Sequence, residues 1–377
     1  MKTILLSCLL CFSNAFSQSY ETLMNKAATN LQAKKYCDAL SNFKKAFNLQ
    51  TEIGLYDYVS AASAAANCND TKTAVEWLKK GYKLGLGKSR DEISFLQTNE
   101  RFKNLNQNIE FKQLLGDMEN KLVQIEKLKK QETEQWNQEI VKNQITENIP
   151  FNQASPGFAL YFTEAEGMKV PYIVFVPKGY KSSKPIKVIF FLHGGVNTIN
   201  EFYYQNPGVK KEPIFSVGSG FNAIIVYPFA KKDFGWMNQQ KAFENIFTIL
   251  NDVEKKYNVD KNKIYLGGMS NGGTAAFWFA SRKETPFKAF YAFAPNPVLN
   301  IGAIPFENIT KDHPLYTISA KDDYVFGYNE VMKIYNQNKS KAKGWNFQTI
   351  ENGSHDFIYK PEISKELLTN FFSEVLR

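Results

Sequence analysis

Apolar positions in the first third of the chain recur at spacings of three and four, the period of a helix that buries one stripe. Residues 36–48 read Tyr-Cys-Asp-Ala-Leu-Ser-Asn-Phe-Lys-Lys-Ala-Phe-Asn. A shift of 35 residues lays Ala39 on Ala74, Phe43 on Leu78, Lys44-Lys45 on Lys79-Lys80, Ala46 on Gly81 and Phe47 on Tyr82. The pattern predicts two such helices, each preceded by another, over about 20–33 and 52–67. Residues 88–118, with Phe95, Leu96, Phe102, Leu105, Phe111, Leu114 and Leu115, predict a closing helical unit, because a repeat leaves an apolar face that needs a cap. Residues 119–148 are mostly Lys, Glu, Gln and Asn, and the apolar heptad spacing fails at Lys129 and Glu132. That predicts a charged connecting helix rather than a coiled coil. Pro150 and Pro156 are expected to end it, since proline lacks the amide donor and restricts the residue before it.

The pattern then changes to short β-rich runs at 172–176, 188–192, 223–227, 264–266, 289–294 and 315–319. These runs are continuously apolar rather than alternating, as in strands covered on both faces. Helical segments such as 242–257 and 275–280 fall between some of them. Strands alternating with helices predict one α/β domain with a mostly parallel sheet.

A helix pair recurring near every 34 residues resembles the tetratricopeptide repeat, in two degenerate copies over residues 19–85. The organisation expected is a signal peptide at 1–17, tetratricopeptide-like repeats with closing helices at 18–118, a charged helical linker at 119–150, and the α/β domain at 151–377. The resemblance implies a concave face able to take a protein or peptide partner. The alternative is a helical spacer, because no peptide-clamping set of residues is visible.

Charge changes this picture little. The formal net charge is +9, but it is spread: about +2 over residues 19–150 and about +6 over 151–377, with both signs interspersed. No cationic cluster of the kind that displaces counterions from phosphates is present, so no nucleic-acid partner is expected. At the N-terminus, Lys2, the apolar stretch Ile4 to Phe12 and the small-residue site Ala15-Phe16-Ser17 have the form of a secretion signal. The stretch is too short to span a membrane, and no later segment reaches about 20 consecutive apolar residues, so no transmembrane segment is expected. A periplasmic or secreted location follows. Removal of the signal leaves Cys37 and Cys68, which either pair or stay as two thiols; their spacing does not decide. His193, His313 and His355 lie far apart, and no CxxC or HExxH occurs, so no metal site is expected.

The chemistry-bearing residues lie in the α/β half. Gly268-Met269-Ser270-Asn271-Gly272 directly follows a strand-like run and precedes a helix-like one. A serine on such a sharp turn is exposed, and glycines two residues away on each side remove side chains that would collide with neighbouring elements. The following helix turns its N-terminus to the serine, where its dipole favours negative charge. A serine hydroxyl needs a base, and the base needs an orienting acid, in the chain order Ser, acid, His. His355 follows the strand-like 347–350, and Asp322 follows 315–319, so both fall where α/β sheets gather their sites. Asp322 is the expected acid, with Asp323 and Asp356 as rivals; Asp356 adjoins His355 and would have to reach around to its ring. His193-Gly194-Gly195 closes the run 188–192, where an amide of Gly195 or Val196 would join that of Asn271 in an oxyanion hole. Trp236 is a candidate for lining a substrate pocket, with ordinary core as the alternative.

Together with Tyr227-Pro228, Gly235-Trp236 and Tyr257-Asn258-Val259-Asp260, these motifs resemble the secreted α/β-hydrolase esterases of the polyhydroxybutyrate depolymerase and feruloyl esterase type, over residues 170–377. The resemblance implies an α/β-hydrolase fold and hydrolysis of a small or polymer-linked acyl ester through an acyl-enzyme, with no cofactor. It departs from that type where Ile318-Ser319 stands in place of the His-Gly often found before the acid. The alternatives are a serine peptidase of the same fold and a non-catalytic binding protein in which the repeats do the work.

Overall fold

The computed structural model describes residues 19–50, 52–145 and 154–377. The expected signal at 1–17 and Pro150 lie outside them. The chain divides into two compact units at Lys130/Gln131.

The first unit is all helix. Helices α1 (Tyr20–Gln32), α2 (Tyr36–Phe47), α3 (Leu55–Asn67) and α4 (Thr71–Lys83) form two successive pairs, and the starts of α1 and α3, like those of α2 and α4, are 35 residues apart. Ser19 and Asp70 cap α1 and α4 by accepting from Thr22 and Thr73 amides, which satisfies donors that a helix start leaves open. Helix α3 buries Ala61, Ala62, Ala64, Ala65 and Ala66, and side chains this small let neighbouring helices close on several of its faces. Phe43, Leu78 and Val75 fill the space between the pairs. Cys37, at the start of α2, forms a disulfide with Cys68, the residue after α3, with Cα atoms 5.0 Å apart. Helix α5 (Arg90–Thr98), a 3₁₀ turn at Glu100–Leu105 and the start of α6 (Ile109–Lys142) carry Leu96, Phe102, Leu105, Phe111 and Leu114 into the same core.

The second unit is built on one eight-stranded sheet, ordered β1-β2-β4-β3-β5-β6-β7-β8. The strands are β1 (Gly157–Ala165), β2 (Met168–Val176), β3 (Ile186–Leu192), β4 (Ile224–Pro228), β5 (Val259–Met269), β6 (Ala289–Phe293), β7 (Leu315–Ala320) and β8 (Trp345–Ile350). Pairing is antiparallel for β1 with β2 and β2 with β4, and parallel across the rest. The continuous apolar runs have the expected cause. Val188, Phe190, Ile224, Val226, Leu266 and Phe290 enter one core with α8 (Gln240–Lys256) and α9 (Asn271–Ala280). Their neighbours Ile189, Phe191, Ile225, Tyr227, Tyr265 and Tyr291 enter the other with α7 (Ile214–Phe221) and α11 (Pro361–Val375). Helix α10 (Tyr328–Asn338) joins β7 to β8.

Two features depart from expectation. Strand β1 was not legible as a run of its own, although Glu166 and Gly167, both at positive φ, form the turn that folds it onto β2. The end of the connecting helix is also part of the sheet unit rather than a plain linker. Trp136 and Ile140 are buried there, and the Trp136 indole donates to the Tyr204 carbonyl at 2.8 Å. After α6 ends at Lys142, the Asn143 and Gln144 side chains donate to β1 carbonyls, so the helix stops before either proline.

Candidate active site

Ser270 stands between β5 and α9 with φ 54° and ψ −116°, a conformation costly for a side chain and held by its surroundings. Its amide donates to the Phe293 carbonyl of β6 at 2.9 Å. A Cβ on Gly272 would lie 1.8 Å from the Leu192 carbonyl oxygen, and one on Gly268 2.1 Å from it. Only glycines let the start of α9 and the end of β5 press against β3 this closely.

His355 reaches this serine from the loop after β8. Its Nε2 lies 2.9 Å from Ser270 Oγ, within hydrogen-bond reach. Its Nδ1 faces Asp323, 2.9 Å from Oδ2 and 3.1 Å from Oδ1. The Asp323 side chain is only 1% exposed, and its Oδ1 also accepts the Val325 and Phe326 amides at 2.8 and 2.9 Å. Phe326 packs edge-on against the imidazole at 5.2 Å.

Asp322 does not orient His355, contrary to expectation. The turn after β7 (Asp323 amide to the Ala320 carbonyl) carries Asp323 inward and Asp322 toward the His355 loop. There Asp322 accepts the Ser354 amide at 2.8 Å and the Gly353 amide at 3.2 Å. These two donors, Ser354 first, hold its carboxyl below the usual aspartate range. Ser354 and Gly353 both adopt positive φ, so Asp322 braces a loop with an unusual backbone path. Asp356, the other rival, pairs with Lys360 instead.

The His193-Gly194-Gly195 turn sits against the serine: a Cβ on Gly194 would lie 2.9 Å from Ser270 Cβ. Gly195 adopts φ 70°. The Val196 amide is engaged, donating to Asn271 Oδ1 at 3.0 Å, which separates the two candidates for this donor. Asn271 begins α9, where a backbone amide has no partner within the helix.

Trp236 is core rather than pocket lining. It is 1% exposed, and its indole donates to the His193 carbonyl at 3.3 Å while packing edge-on against the imidazole. His193 itself is buried beneath the turn; burial lowers its pKa to about 4, so its ring is neutral, and its Nε2 accepts the Ala230 amide at 3.0 Å. Sequence reasoning missed this anchoring role. Among the described residues, no group of three or more His, Cys, Asp or Glu could hold a metal ion. No helix among them is long and apolar enough to cross a membrane.

A mixed sheet in this order, parallel from β4 through β8, with a glycine-flanked serine on the turn after its central β5, is the α/β-hydrolase fold of esterases and other serine hydrolases. In sequence, the chain is similar to the probable feruloyl esterase C of Aspergillus terreus, 29% identical over 128 residues. That match covers 31% of this chain and 43% of the relative, less than half of the relative's length. Solved structures similar to it include a thermostable esterase (TM-score 0.46, 20% identity, 58% of this chain and 63% of that one). A ferulic acid esterase matches at TM-score 0.45 and 20% identity, over 58% of this chain and 97% of its own. An acylaminoacyl peptidase of Pyrococcus horikoshii matches at 0.46 and 17%, over 62% and 44%. Comparison with models of known protein families finds no match.

Proposed function

We propose that the protein is an exported serine esterase that hydrolyses a carboxylic ester through an acyl-enzyme on Ser270. The observation that carries this is the run of contacts from Ser270 Oγ to His355 Nε2 and from His355 Nδ1 to Asp323. In this reading His355 takes the proton as Ser270 Oγ attacks the acyl carbonyl, and Asp323 fixes the tautomer and stabilises the imidazolium. The Gly195 and Asn271 amides receive the oxyanion, and the N-terminus of α9 adds its dipole. His355 returns the proton to the departing alcohol, and water then releases the acid by the same steps. The N-terminal helix pairs are tetratricopeptide-like in this reading, and residues 1–17 direct export.

Purified protein assayed against chromogenic esters and peptides, with Ser270→Ala alongside, tests the reading. Ester turnover that Ser270→Ala abolishes is expected, as is labelling of Ser270 by an active-site phosphonate. Near wild-type hydrolysis by Ser270→Ala would sink it, and peptide cleavage without ester cleavage would replace it with a peptidase. The mature protein is expected to begin near Gln18, which N-terminal sequencing reads directly.

A further inference from the structure

Asn271 enters the site twice. Its backbone amide, at the start of α9, is one of the two oxyanion donors in the reading above. Its side chain crosses to the turn that carries the other donor. There Oδ1 accepts the Val196 amide at 3.0 Å, in a buried contact between residues 75 apart in sequence. Gly195, the other donor, directly precedes Val196, and its own amide makes no hydrogen bond among the described residues. Gly195 adopts φ 70° and ψ 11°, the left-handed conformation. Successive amides in such a turn can point to one side and form a concavity for an anion.

We propose that the Asn271 side chain is a positioning element of the oxyanion hole: it occupies the Val196 amide and so fixes the Gly195 amide at a set distance from the Asn271 amide. The inference rests on the serine-hydrolase reading above. The physical reason is backbone freedom. Gly194 and Gly195 have no side chains to set the direction of their peptide groups. Other bonds hold the turn to itself and to the core: the Gly195 carbonyl accepts the Thr198 amide at 3.0 Å and its hydroxyl at 2.8 Å, and the His193 carbonyl accepts the Trp236 indole. The Asn271 bond is a polar link from the turn to α9, the element that supplies the second donor. One residue therefore donates to the oxyanion from one side and sets the register of the donor on the other. Without the bond the turn is free to tilt, and a displacement of about 1 Å in a catalytic group costs on the order of 10²-fold in rate.

The test compares Asn271→Ala with wild type in three measurements: kinetics on a chromogenic ester, affinity for a trifluoromethyl ketone, and thermal unfolding. The ketone mimics the transition state: Ser270 Oγ adds to its carbonyl carbon, the serine proton passes to His355, and the carbonyl oxygen becomes an oxyanion. Alanine keeps the backbone amide at 271, so only the side-chain bond is lost. kcat should fall by about 10–10²-fold with KM within about threefold of wild type, and ketone affinity should fall in the same proportion as kcat/KM. Asn271→Ser, whose hydroxyl is one bond shorter than the amide oxygen, should behave alike and decides the matter should Asn271→Ala fail to fold. A fall in Tm with kcat and ketone affinity unchanged would show a purely structural asparagine and overturn the proposal. Failure of wild type to turn over any ester or to be labelled by the phosphonate would instead overturn the serine-hydrolase reading, and this proposal with it.

Discussion

At the scale of single residues, the two adjacent aspartates after β7 divide the work. Asp323 is buried and points both carboxylate oxygens at His355 Nδ1, whereas Asp322 is a loop brace near solvent. Asp323→Asn should therefore lower kcat by about 10³–10⁴-fold, because an amide donor opposite Nδ1 favours the wrong tautomer. Asp322→Asn should stay within about tenfold of wild type, since its amide oxygen still accepts one of the two loop amides. Steady-state kinetics on one ester compares them, and a larger loss for Asp322→Asn would reverse the assignment. Ser270→Ala and His355→Ala should each cost about 10⁴-fold or more, with the double variant hardly worse, as expected of groups acting as one unit. Two aspartates in sequence look alike on paper. The choice between them was made by one turn, in which the Asp323 amide closes back on Ala320.

At the scale of elements, close backbone approach and one covalent link are the exposed points. Gly272 lets the start of α9 lie against the Leu192 carbonyl of β3, where a Cβ has no room. Gly272→Ala should destabilise the protein by about 1–3 kcal/mol and disturb the serine turn, as overpacking does. Denaturant unfolding measures it, and an unchanged midpoint would mean that α9 can shift freely. In the helical unit, the Cys37–Cys68 bond joins residues 31 apart in sequence, from the start of α2 to the end of α3. Changing both to serine should cost about 3–4 kcal/mol in the chain-entropy account, less any strain released. Intact mass with and without reductant shows whether the bond is present in the isolated protein. The sequence carried these elements well: the 35-residue offset survives as the offset between helix pairs. Strand β1 escaped notice because its burial depends on β2 and on Trp136, a residue that sequence alone left on a charged helix.

For the molecule as a whole, the buried His193 beneath the serine turn should shape the acid side of stability. His193 is buried with its pKa lowered to about 4, so between that value and its ordinary 6.5 the unfolded chain binds more protons than the folded one. Stability should therefore fall as pH drops from about 6.5 toward 4. A His193→Gln variant, stable enough to melt, should show a flatter acid limb in its Tm profile; an identical limb would assign the loss to other groups. The buried carboxyl of Glu212, its pKa raised to about 7 chiefly by burial, acts in the opposite sense across much of this range, so the sharper measurement is the difference between His193→Gln and wild type.

By itself the sequence determined what is local or periodic. It set the helical stripes and their 35-residue offset, the doubly apolar strands that require cover on both faces, and the glycine-flanked serine between strand and helix. Each of these depends on residues a few positions apart, where backbone sterics and side-chain periodicity act directly. Tertiary structure alone decided which partners meet. Asp323 rather than Asp322 faces His355, the Val196 amide goes to the Asn271 side chain, Trp236 lies in the core, Trp136 packs on the sheet, and Cys37 meets Cys68. Those outcomes depend on how segments about 30 to 75 residues apart are turned toward one another, and a linear pattern carries no record of such directions.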